Sequence, residues 1–232
     1  MLVSEVKAEA QLVSRNELRY FFATRSNQTI YYARVMDSRP PDANAMLEYA
    51  SLRLLAGDSA GYKRLCARLV ERDGDTSDLG IVDNLSRVCT LAPVAVDDPA
   101  WPVAWSEHIW MTRKPALPWT LHSLGAAYYR AGRFDEAIRR FQESQRLDPT
   151  WPGQCMNDVF LALAHARLGQ LEEARCSLEK ADQWLAGANR QLAEKTIGFP
   201  PMVFPADWLI VQVLRREADR VLASPPANSE TP

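Results

Sequence analysis

Three adjacent carboxylate pairs, Asp97-Asp98, Asp135-Glu136 and Glu172-Glu173, are the groups best suited to chemistry, since two close carboxyls can share acid–base hydrolysis or hold a cation. Each pair falls in the first turn of a predicted helix. The helix dipole favours negative charge there by about 0.3–1 kcal/mol, so a structural role accounts for them. His108, His122 and His165 show no HExxH spacing and have no cysteine four residues away on the same helix, so no metal site is expected. Ser123 and Cys155 lack an elbow or partner motif, which leaves no catalytic residue to name and no cofactor to place. Arg130, Arg133, Arg139, Arg140 and Arg146 could meet phosphates. Glu136 and Glu143 lie three to four residues from several of them, and helix-surface ion pairs explain most of the cluster.

The elements that carry these residues are helices. Leu121, Leu124, Gly125 and Tyr128 share one helical face, Ala131-Gly132-Arg133 makes a turn, and Phe134, Ala137, Ile138 and Phe141 form the facing stripe. A hairpin of this kind cannot bury both stripes alone and needs neighbours on each side. Met46 to Leu54 and Tyr62 to Val70 write a second hairpin around Gly57-Asp58. Leu79 to Cys89 and Trp101, Trp105 and Ile109 give two further helices, the latter starting at Asp97-Asp98-Pro99. Val159 to Leu168 and Leu171 to Leu185 flank Gly169. Ala186 to Pro205 is an irregular insertion, although Arg190 to Lys195 could continue the helix before it. Trp208, Val211, Leu214, Ala218, Val221 and Leu222 form a last amphipathic helix.

The turn glycines Gly57, Gly132 and Gly169 each stand five residues before an apolar or small residue: Tyr62, Ala137 and Ala174. Their spacing implies a unit of roughly 37 residues, with one copy hidden around a break at Pro93. Four units follow, at about 43–74, 78–114, 118–149 and 154–186. Gly125 and Ala162 allow close helix crossing, with Tyr128 and Phe141 filling the space beside the small residues. The fold expected is all-α: a right-handed solenoid of stacked hairpins in residues 42–223, capped by the C-terminal helix. Residues 1–41 form a separate segment in which 1–36 fit a helical start followed by either a β-hairpin or more helix, and 224–232 form a disordered tail.

Composition is that of an ordinary soluble chain, with 47% hydrophobic and 24% charged residues and a formal charge of −2, so no long-range field favours nucleic acid. No apolar run reaches the ~20 residues that span a bilayer, and Met1 to Arg15 lacks a secretory apolar core. Cys66, Cys89, Cys155 and Cys176 are widely spaced without a CxxC, which fits a reducing cytoplasm.

Leu121, Leu124, Gly125, Tyr128, Ala137, Phe141 and Pro149 make the 118–149 unit resemble a tetratricopeptide repeat, and 154–186 resembles it more loosely through Leu161, Ala162, Ala174, Leu178 and Ala181. Over 42–223 the chain is also similar to the repeat regions behind bacterial serine/threonine kinase and related signalling domains. None of the kinase's own motifs occurs. The resemblance implies a groove lined by the first helix of each hairpin. Trp119, His122, Tyr129 and Arg130 would project into it beside Met156, Phe160, Leu163 and Arg167, although Phe160 and Leu163 also suit a core. Where the family holds a peptide's terminal carboxylate with Lys and Asn, this chain has His122, Ala126, Leu163 and Arg167.

The function expected is an adaptor or scaffold binding a peptide or protein segment, as a signalling or regulatory module, with no nucleic-acid or membrane partner. Two other readings remain: a small all-α hydrolase using acidic residues, and a structural element that dimerises if a second copy fills the groove.

Overall fold

Gly57, Gly132 and Gly169 adopt φ of 80°, 75° and 73°, a left-handed conformation that side chains with a Cβ resist. Each ends a helix in the same way. The amide of the residue after each glycine, three beyond the end of the helix, donates back five residues, as Asp58 N to Arg53 O (2.8 Å), Arg133 N to Tyr128 O (2.9 Å) and Gln170 N to His165 O (2.9 Å). The glycine spacing therefore has a physical cause, a left-handed C-terminal stop after the first helix of three of the four hairpins; the remaining first helix, Leu79–Cys89, ends instead at Thr90 with φ −105°.

The computed structural model describes residues 43–93, 95–194 and 205–223. Among them are nine helices: α1 (Ala43–Leu55), α2 (Ser59–Asp73), α3 (Leu79–Cys89), α4 (Ala100–Thr112), α5 (Pro118–Arg130), α6 (Phe134–Leu147), α7 (Gln154–Arg167), α8 (Leu171–Glu194) and α9 (Pro205–Ala223). The helix-or-hairpin alternatives for 1–36 and the tail at 224–232 lie outside the described residues. Aspartates start several helices by accepting from free amides: Asp58 from Gly61 N, Asp78 from Gly80 N and Asp98 from Ala100 N, each at 2.8 Å. α8 continues to Glu194, past the end of the 154–186 unit read from the sequence.

α1–α2, α3–α4, α5–α6 and α7–α8 are antiparallel pairs stacked in chain order into an all-α helical-repeat solenoid. The first helices α1, α3, α5 and α7 line one side, and the second helices face outward. Gly125 on α5 shows why the pairs approach so closely. A Cβ there would stand 2.7–2.9 Å from three ring carbons of Phe141, which is itself fully buried on α6. Ala162 on α7 and Ala174 on α8 are fully buried as well.

α9 caps the solenoid from an unexpected side. It does not extend the stack beyond α8 but packs on the inner helices α7 and α1, bridging the last hairpin to the first. Its sequence explains this. Beside the stripe Val211, Leu214 and Ala218, a second stripe of Leu209, Ile210 and Val213 is also buried, so α9 needs apolar neighbours on two sides.

Candidate functional site

Arg130, the last residue of α5, is the centre of the inner side. Its Nε donates to Thr90 O (2.7 Å) and its Nη2 to Leu91 O (2.9 Å), which satisfies carbonyls at the C-terminal end of α3. The same guanidinium grips the Glu217 carboxylate of α9 with Nη1 at 2.6 Å and Nη2 at 2.8 Å, a bidentate pair. Tyr129 OH donates to Glu217 at 3.2 Å, and Arg167 approaches that hydroxyl from α7. The guanidinium also lies 5.0 Å from the Tyr129 ring centre and 5.6 Å from that of Phe160. Both charged side chains are 7% exposed. Burial disfavours the Arg130 charge, yet Glu217 more than offsets this and holds its pKa above the ordinary value.

His122 lies one turn into α5, enclosed by the rings of Phe141, Trp151 and Phe160 at 5.6–5.9 Å. Its Nδ1–H donates to Asn157 Oδ1 (2.8 Å), Asn157 Nδ2 donates to Ser144 Oγ (3.0 Å), and Ser144 Oγ donates to Pro118 O (2.9 Å). This relay ties α5, α6 and α7 together inside the core. Burial pushes the His122 pKa down to about 4, so the ring is neutral at pH 7, with its proton on Nδ1.

The groove residues expected from the sequence are thus placed as follows. Trp119 is 38% exposed at the start of α5, and Arg167 is exposed at the end of α7. His122, Tyr129, Met156 and Phe160 are buried, as are the Arg130 side chain and Leu163. The expectation that these buried residues face an open groove is corrected: the inner side is covered by α9, and Tyr129 and Arg130 already hold a carboxylate from within the chain. Nor does His122 line a groove; it is a core residue.

The acidic pairs do not converge. Asp97 meets Lys63 at the surface (2.7 Å), Asp98 caps α4, Glu136 pairs with Arg133 (2.5 Å), and Glu172 pairs with Arg175 (2.7 Å). The sequence reading missed the buried acids Asp83 and Asp207, whose pKa values burial raises while the nearby charge of Arg87 opposes it, Asp207 to about 6. Their isolation on otherwise apolar helix faces was the available signal. The cavity beside them, lined by Arg87, Thr90, His122 and Ser123, is only about 10 Å³, barely room for one water and none for a substrate. Among the described residues, no group of three or more His, Cys, Asp or Glu is placed to hold a metal ion, and no helix is long and apolar enough to cross a membrane.

No curated protein and no solved structure matches the chain. The tetratricopeptide repeat family does match, once over residues 118–151, which contain α5 and α6, and again over 158–180, within α7 and α8. The stacked hairpins and glycine turns agree with both matches, and the Gly125–Phe141 crossing with the first; the two stretches are similar to tetratricopeptide repeats, which generally serve as protein-interaction modules.

Proposed function

We propose that the chain is an interaction scaffold whose inner side holds a helical protein segment, with Tyr129, Arg130 and Arg167 receiving a carboxylate on that segment. In this reading α9 is the resident occupant, and a partner helix of similar chemistry takes its place. The observation that supports it is the Glu217 clamp: an amphipathic helix already lies along the first helices, anchored by the Arg and Tyr residues that the repeat pattern marks as binding anchors. Trp119 would extend the contact at the rim. A regulatory role follows from a site that is filled until a competitor arrives. Its assignment to signalling rests on the similarity to repeats behind bacterial serine/threonine kinases, and a reducing cytoplasmic setting on the free thiols of all four cysteines.

A fluorescent peptide of residues 205–223 tests this by anisotropy. The full chain carrying Glu217→Gln, which keeps the side-chain shape but removes the charge, should bind the peptide with a dissociation constant in the micromolar range, about −8 kcal/mol. The unaltered chain should bind at least about tenfold more weakly, because its own α9 competes. Equal binding to the two chains, or none to either, would sink the reading.

A further inference from the structure

α4 is largely apolar, and its one carboxylate, Glu107, is turned toward α5, where it accepts from Tyr128 OH (2.8 Å). Pro102, Val103, Ser106 and Ile109 are buried, facing the neighbouring helices α3 and α5, which already supplies the one packed face such a helix requires. On the far side Trp101 is 47% exposed and Met111 60%, with Ala104 and His108 exposed between them. Trp105 is half-buried on the same side, its ring centre 6.4 Å from that of Trp101. These residues recur at three- and four-residue steps and form one continuous stripe along the helix.

The other outward helices differ. α2 presents Lys63, Arg64 and Glu71 to solvent, α6 presents Arg139 and Arg146, and α8 presents Glu173 and Lys180. The stripe on α4 is therefore not a general feature of the repeat's outer surface, and contiguous exposed apolar area of this kind marks an interaction surface.

The ends of the stripe indicate what covers it. Asp97, which also meets Lys63 of its own chain, and Asp98 are exposed at the N-terminal end, while Arg113 is half-buried and Lys114, over the Trp110 ring, is exposed at the C-terminal end. A second α4 laid antiparallel across a two-fold axis sets the acidic end of each helix against the basic end of the other. It also sets Trp105 near His108 of the partner subunit and Trp101 near Met111 of the partner subunit. Parallel pairing would place like charges together. We propose that α4 is a self-association surface through which two copies of the chain pair antiparallel. It is separate from the inner side that holds α9. A face of one 13-residue helix is small beside the ~800 Å² per partner of a standard interface. The dimer is accordingly weak and concentration-dependent.

Sedimentation of the full chain from about 1 to about 300 μM should pass from monomer to dimer, with a midpoint of tens of micromolar. Met111→Glu, at an exposed position that does not disturb the core, should raise the midpoint at least about tenfold. Asp97→Lys should also weaken the dimer, and adding Lys114→Glu should recover most of the loss, with circular dichroism unchanged throughout. Carbodiimide should join Asp97 or Asp98 to Lys114 between copies, read as a cross-linked peptide by mass spectrometry. A monomer at every concentration, whether the stripe is bare or covered by residues 1–42, overturns the proposal. So does a dimer that Met111→Glu leaves unmoved. Failure of the charge swap to recover association would overturn the antiparallel arrangement.

Discussion

The Arg130 guanidinium and the Glu217 carboxylate, 87 residues apart, meet in a bidentate pair at 2.6 and 2.8 Å that fastens the C-terminal helix across the inner side of the solenoid. Removing one partner strands the other charge in a buried site, so Arg130→Ala or Glu217→Ala should each cost about 3–5 kcal/mol in urea unfolding. Exchanging both for apolar residues of similar size, Arg130→Met with Glu217→Leu, should cost less than either single change. Loss of Arg130 in that double change also leaves the carbonyls of Thr90 and Leu91 without its hydrogen bonds, so recovery should be incomplete. The Tyr129→Ala, Arg130→Ala double change, which would test an open groove by binding alone, here lowers stability too.

Gly125 and Phe141 give a steric prediction. Because an added Cβ meets the ring at 2.7 Å, Gly125→Ala should destabilise the chain by about 1–3 kcal/mol despite the better helix propensity of alanine. Thermal melting checks this, and Phe141→Leu in the same chain should return part of the loss by making room.

Asp207 and His122 set opposing pH dependences. Burial raises the Asp207 pKa to about 6, so the folded chain binds this proton more tightly than the unfolded one and gains stability as pH falls through 6 towards 4. Burial lowers the His122 pKa to about 4, so its contribution is present above about 6.5 and is lost as pH falls from there towards 4. At about 1.4 kcal/mol per unit each effect is on the order of 3 kcal/mol, and they nearly cancel. The raised pKa of Asp83 adds to the Asp207 side, while the charge of Arg87 acts on all three groups and that of Arg113 on Asp83. Asp207→Asn should stabilise the chain at pH 7 by about that amount and expose a loss of stability below pH 6.5 in urea titrations. Nitrogen NMR should find His122 neutral, with its proton on Nδ1, at pH 5.

Thiol accessibility follows from the packing. Cys66, Cys89 and Cys155 are buried, and Cys176 on α8 is exposed. A hydrogen bond to Cys66, and then burial, raise the Cys89 pKa, and burial raises that of Cys155, which keeps both thiols protonated and unreactive. A native-state thiol reagent should modify one cysteine quickly, identified by mass spectrometry as Cys176, and all four only after unfolding.

The sequence by itself determined the repeat: Gly57, Gly132 and Gly169 mark left-handed helix stops, and the 3.6-residue stripes around them read directly as hairpins because both signals are local. Gly125 against Phe141 was legible too, since small and large residues at a crossing must complement each other. The tertiary structure alone decided what covers the inner side. A stripe such as Tyr129, Met156 and Phe160 looks the same whether it faces a ligand or another helix of its own chain, because burial is a property of the partner and not of the stripe. Arg130 and Glu217 likewise carry no local mark of each other; only the folded chain spends the 87 residues between them in bringing the two charges together.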